Sequence, residues 1–130
     1  MNSPSISTYR DLGVWQQAMA LAADCYKAKS SFPQSEIYGM TSRIRRAATS
    51  VPANIAEGHG RETTGAYIQF LRISQGSLKE VETLVLLANS IEFLDKATTE
   101  RLMGRCEDVG KPLRALIRVL QSKVRTGSDA

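Results

Sequence analysis

Residues 44–61 read IRRAATSVPANIAEGHGR, and whether this stretch is one helix or two pieces decides the fold. Pro52 has no N–H to give to the carbonyl of Ala48, and its ring presses on that carbonyl, at a usual cost of about 3 kcal/mol inside a helix. The apolar residues nevertheless stay in phase through the proline. Ile44, Ala47/Ala48, Val51 and Ile55 recur at steps of three and four, the period of one helical face. A break would throw them out of phase, so the expectation is a second helix that kinks at Pro52 and continues. Gly58 and Gly60 tolerate positive φ and are expected to end it.

The same period extends outward in both directions. Upstream, a first segment runs from Asp11, as N-cap, to about Ser30, with Leu12, Trp15, Met19, Ala22 and Cys25/Tyr26 on one face, and Phe32-Pro33 closes it. The second segment opens at Ser35 and counts Ile37 and Met40 on its apolar stripe. Downstream, a third segment starts near Thr63 or Thr64. There Tyr67, Ser74, Val81 and Ala88 fall seven apart, with Phe70/Leu71, Ser77/Leu78, Leu84/Val85 and Ile91 between them, a heptad seam. Gly76 and Ser77 are small residues on that seam, where a partner helix can approach closely. A fourth segment starts near Asp95 and turns Met103, Cys106, Val109, Leu113, Leu116/Ile117, Leu120 and Val124 inward; Pro112 is placed to kink or split it. No window alternates with period two. The class is all-α, and short connections between amphipathic segments predict an antiparallel up-down-up-down four-helix bundle. It forms a single domain over residues 1–130, with disordered ends at about 1–8 and 126–130.

The polar residues around Pro52 raise the question of chemistry. Arg43 and Asn54, like Arg46 and Glu57, are separated by close to three helical turns. With Arg61 they are expected to converge on a hydrogen-bonded cluster in which Asn54 and Glu57 serve structure. As a reaction centre the set is poor: one carboxylate, one amide, and the chain's only histidine, His59, with no partnered nucleophile. Glu57 and His59 stand two apart, whereas carboxylate di-metal bundles need Glu-x-x-His on two helices. No catalytic residue, metal ligand or cofactor is assigned.

The chain of 130 residues is 42% apolar, enough for one core, and no apolar run approaches the 18 residues of a membrane span. The start, MNSPSISTYRD, has neither the basic nor the apolar region of a secretory signal. A cytoplasmic protein with no membrane association is expected. Cys25 and Cys106, far apart in sequence and each on an apolar stripe, are read as free buried thiols.

The net charge of +4 is unevenly placed: from Glu100 to Arg125 there are seven bases and three acids, a surplus equal to that of the whole chain. On a helical wheel Lys111, Arg114, Arg118 and Arg125 share an arc of about 60° opposite the apolar face. These four are the first candidates for phosphate contacts, and Arg43, Arg46 and Arg61 the second. Glu100 and Glu107 join the same arc only if the helix runs unbroken through Pro112. Without interleaved aromatics, binding of structured RNA or DNA is expected to follow the backbone with little sequence preference. An acidic protein partner is the alternative.

Taken together, IRRAATSVPANIAEGHGR at 44–61, YRDLGVWQQAM at 9–19, FPQSEIYGM at 32–40 and FLRISQGSLKEVETL at 70–84 resemble the bacterial four-helix bundle proteins known as 23S rRNA intervening-sequence proteins. The resemblance spans about residues 9–120. It implies an antiparallel four-helix bundle and a ring-shaped homopentamer. Related proteins serve retroelements as accessory variability proteins, binding a reverse transcriptase and nucleic acid; for most members no function is known. Arg43 stands where the family more often has Gln, and Pro112 also departs from its pattern. The expected function is that of a non-enzymatic homo-oligomeric nucleic-acid-binding or accessory protein, with a protein-interaction scaffold as the alternative.

Overall fold

A computed structural model describes residues 7–28 and 32–127. These contain four α-helices, two short 3-10 turns and no strand: α1 (Gly13–Ala28), α2 (Met40–His59), α3 (Thr64–Ser90) and α4 (Lys96–Arg125). The expected disordered ends lie largely outside the described residues, in 1–6 and 128–130.

The helix starts follow from local hydrogen bonding. Thr63 accepts from the Ala66 N–H at 3.2 Å and starts α3, and Asp95 accepts from the Thr98 N–H at 2.7 Å and starts α4, both where the sequence places them. The first two starts differ from expectation. Asp11 is not the cap of α1. It ends a 3-10 turn, Tyr9–Asp11, in which Thr8 is the cap and the Asp11 carboxylate accepts from the Ser7 and Thr8 N–H groups. The second helix opens at Met40 rather than Ser35, because Gln34–Glu36 form a 3-10 turn and Gly39 has non-helical dihedrals. Glu36 reaches forward from that turn to accept from the Met40 N–H at 3.1 Å. Ile37, expected on the stripe, is therefore exposed.

α2 runs unbroken through Pro52, which is itself buried, and Ile44, Ala47, Ala48, Val51 and Ile55 all face the core. Side-chain donors cluster on its backbone here. Asn54 Nδ2 donates to the Ser50 carbonyl at 2.8 Å, and Ser74 Oγ of α3 donates to the Val51 carbonyl at 2.8 Å, which satisfies a fully buried hydroxyl. α4 likewise continues through Pro112 without splitting.

α2 stops at Gly60, as expected, but with φ −82°, and Gly58 is inside the helix, so neither glycine supplies positive φ. Gly58 is required by proximity: a Cβ there would stand 2.8 Å from Phe70 Cβ and 3.0 Å from Tyr67 Cδ1. Gly76 has open space around it and mediates no close approach. That role falls to Gly110, buried on α4 against Leu78 of α3.

α1 touches α2 and α4, α2 touches α3, and α3 touches α4. One core fills the space between them, with Leu21, Ile55, Leu71, Leu84, Leu102 and Leu113 among its largest buried side chains. Along the contact of α2 with α3, residue 58 lies against 67 and 70, 51 against 74, and 50 against 77. Between α1 and α4, Arg105 Nε donates to Asp24 Oδ2 at 2.8 Å, and Asp24 is largely shielded from solvent.

The buried face of α1 shares only Ala22 and Cys25 with the one the sequence singled out. Val14, Ala18, Leu21, Ala22, Cys25 and Ala28 point into the core, whereas Met19 and Tyr26 are exposed and Leu12 and Trp15 are only partly covered. Ile91 and Val124, each expected inward, are exposed at the ends of α3 and α4. Cys25 and Cys106 are free and buried, and burial pushes each thiol up to about 12.

Candidate functional site

The cations expected to act together are distributed over three places. α3 and α4 border a shallow groove with two recesses that share Arg72. One, of about 290 Å³, is lined by Arg72, Gln75, Gly76, Leu78, Lys79, Gly110 and Arg114. The other, of about 360 Å³, is lined by Ile68, Arg72, Gln121, Val124 and Arg125. Arg72 belongs to both, and no carboxylate lines either.

Packing aims these side chains. Gly110 has no side chain, so the Arg114 guanidinium lies over the α4 backbone; a Cβ at 110 would stand 3.2 Å from Arg114 Nη1. Arg72 Nη1 is held by Gln75 Oε1 at 3.4 Å, and Lys79 Nζ lies 3.3 Å from Glu82. Of the four candidates on α4, Arg114 and Arg125 line the groove. Lys111 is turned to Glu107 at 3.7 Å, and Arg118 is exposed outside the lining. The unbroken helix thus brings Glu107 into the basic arc, as its continuity through Pro112 requires.

Arg43 and Arg46 border a third recess, of about 300 Å³, with Ala47, Ser50, Ser77 and Glu80. Ser50 and Ser77 hydrogen-bond across α2 and α3 at 2.7 Å, and Asn54 Nδ2 reaches Ser50 Oγ at 2.9 Å. Arg61 is elsewhere again: its guanidinium sits 4.5 Å from the Phe70 ring centroid and 3.6 Å from Glu57. Of the five polar residues expected to converge around Pro52, Glu57 and Arg61 pair with each other, and the other three do not join them. Among the described residues no hydrogen bond or ion pair joins Arg43 or Arg46 to Asn54 or Glu57, because these residues spread along the flank of α2 instead of facing one point. His59 stacks edge-on against Tyr67 at 5.9 Å. Among the described residues no group of three or more His, Cys, Asp or Glu side chains is gathered to hold a metal ion, and no helix is long and apolar enough to cross a membrane.

Arg72, Gln75 and Lys79 were missed because α3 was read only for its heptad seam. Their offset from that seam by one residue, with Arg72 and Lys79 seven apart, puts them on the flank that meets α4. A second feature was misassigned: Tyr9, Trp15, Met19, Ala22, Ala23 and Tyr26 join residues 49, 52, 53 and 56 of α2 around an open, almost wholly apolar groove of about 420 Å³.

A family model described as 23S rRNA-intervening sequence protein matches residues 10–115 of the chain. Among solved structures, the chain is similar to a protein of unknown function from the S23 ribosomal protein family of Bacteroides thetaiotaomicron VPI-5482. The two share 22% identity and a TM-score of 0.72, over 80% of this chain and 97% of that one, a likeness of fold. No curated protein matches the sequence.

Proposed function

The chain belongs to the 23S rRNA-intervening sequence protein family, and from that premise we propose that it is a non-enzymatic, homo-oligomeric protein that binds nucleic acid, in an accessory role, through the groove between α3 and α4. The observation that carries this is the groove's lining: Arg72, Lys79, Arg114 and Arg125 come from two helices, with no carboxylate among them. Guanidinium groups set in a concave surface suit phosphate oxygens, and their contacts release counterions. With no aromatic residue in the lining to stack a base, contacts go to the backbone of a structured RNA or DNA.

The four helices form an antiparallel up-down-up-down bundle in this proposal. Support comes from the pairing of 58 with 67 and 70, of 51 with 74, and of 50 with 77, in which one helix ascends as the other descends. Chain copies assemble as the ring of five that the family resemblance implies, which repeats the groove around the ring and raises the local positive potential. The cytoplasm is the compartment proposed, and chemistry is not the role: Glu57 is turned to Arg61, and His59 to Tyr67. The test is fluorescence anisotropy of a labelled duplex. Affinity is expected to fall steeply as salt rises; an absence of binding at low salt would overturn the proposal. The alternative, an acidic protein partner in the same groove, is separated by pull-down with and without nuclease, since only a protein partner survives digestion.

A further inference from the structure

Arg43, Arg46 and Glu80 line one recess between α2 and α3, yet their side chains form no ion pair or hydrogen bond with each other or with any other described residue. Carboxylates on the other helix flanks do take a nearby cation: Glu57 has Arg61, Glu82 has Lys79, Glu100 has Lys96 and Glu107 has Lys111. In the recess the two guanidiniums stand on the α2 wall and the carboxylate on the α3 wall, with open space between them. This place is separate from the groove between α3 and α4, which Arg72, Lys79, Arg114 and Arg125 line.

Unpaired charges are common on surfaces, so the floor of the recess decides what they mean. It is made by Ala47, which is buried, and by Ser50 and Ser77, which are half-buried. Asn54 Nδ2 donates to the Ser50 carbonyl at 2.8 Å and to Ser50 Oγ at 2.9 Å, and the two serine hydroxyls stand 2.7 Å apart. Two hydroxyls carry two protons, and one of these makes the bond between them. Whichever serine donates, one O–H is left with no acceptor among the described residues. A shielded donor without an acceptor carries a cost that an arriving oxygen removes. The recess therefore presents three separate donors, Arg43, Arg46 and a hydroxyl, and one acceptor, Glu80.

We propose that this recess is a small-molecule site for a phosphate monoester that also carries an amine, an aminoalkyl phosphate. The three terminal oxygens of a monoester match the three donors, and guanidinium suits phosphate geometry. The ammonium group at the other end goes to Glu80. A phosphodiester, in a nucleic-acid backbone or a phospholipid headgroup, has only two terminal oxygens and leaves one donor unused. A volume of about 300 Å³ is at the lower end for small-molecule sites, which fits a phosphate with a short amine.

The experiment is isothermal titration calorimetry of the full chain with phosphoethanolamine, inorganic phosphate and the diester glycerophosphoethanolamine. Phosphoethanolamine is expected to bind, and the other two to bind about 10-fold more weakly or worse, each lacking one charge-assisted contact. Arg43→Ala/Arg46→Ala is expected to abolish binding with helix content unchanged by circular dichroism. Glu80→Gln, at an exposed position, is expected to weaken phosphoethanolamine by about 10-fold while leaving inorganic phosphate no weaker, a contrast that misfolding does not produce. No binding of phosphoethanolamine, or an equal loss of both ligands in Glu80→Gln, would overturn the proposal. So would inorganic phosphate binding as tightly as phosphoethanolamine, or duplex DNA displacing phosphoethanolamine from the recess.

Discussion

At Gly58 and Gly60 two glycines one residue apart do different work. A methyl group at 58 would collide with Phe70 and Tyr67, whereas at 60 it would meet only the Glu57 carbonyl at 3.6 Å, an ordinary contact. Gly58→Ala is therefore expected to lower stability by about 1–3 kcal/mol through overpacking, and Gly60→Ala to leave it nearly unchanged, both read from urea unfolding midpoints. The sequence showed that these positions were special but gave the wrong cause, because positive φ and close approach select the same residue. The cysteines were more legible: an apolar stripe marks a buried thiol whatever its neighbours are. Burial holds both thiols neutral in the folded protein, at about 12, while in the unfolded chain they ionise near about 8.5. Above that lower value the unfolded state binds fewer protons, so stability falls as pH rises toward the folded value. Replacing both cysteines by alanine is expected to flatten the decline between about pH 8 and about pH 9.5, measured as the unfolding midpoint.

Elements were recovered best where local chemistry and periodicity agree, as at the starts of α3 and α4. The Asp95 cap adds a titration. The hydrogen bond from the Thr98 N–H holds its carboxyl below the usual range, so its contribution is present above the unfolded value near about 4 and is lost as pH falls through the folded one. Asp95→Asn keeps an acceptor but does not titrate, so the stability advantage of the unaltered protein over this variant is expected to shrink from about pH 5 to about pH 2 in thermal unfolding. Periodicity failed where a helix is apolar on two sides. On α1, Trp15, Met19 and Tyr26 satisfy the helical period as well as Val14, Ala18, Leu21, Ala22 and Cys25 do. Only the positions of α2 and α4 decide which set is enclosed. At the start of α2, Ile37 fits the stripe by spacing, yet Glu36 and Gly39 redirect the chain before the helix begins.

For the molecule as a whole, an excess of positive charge was legible in α4, but a groove needs two walls. Arg72 and Lys79 sit on α3, some 40 residues from Arg114 and Arg125, and nothing in the sequence shows that these flanks meet; the Gly110–Leu78 contact does. The expected convergence around Pro52 failed for the complementary reason. Equal helical phase aligns side chains along a flank, but it does not bring them to one point.

The central claim, that the α3/α4 groove holds nucleic-acid phosphates, is tested most directly by the salt dependence of duplex DNA affinity in the Arg72→Ala/Arg114→Ala double variant. Each lost phosphate contact lowers the slope of log affinity against log salt by about 0.9. A slope shallower by about 2, with helix content unchanged, is expected. Affinity and slope equal to those of the unaltered protein would contradict the account.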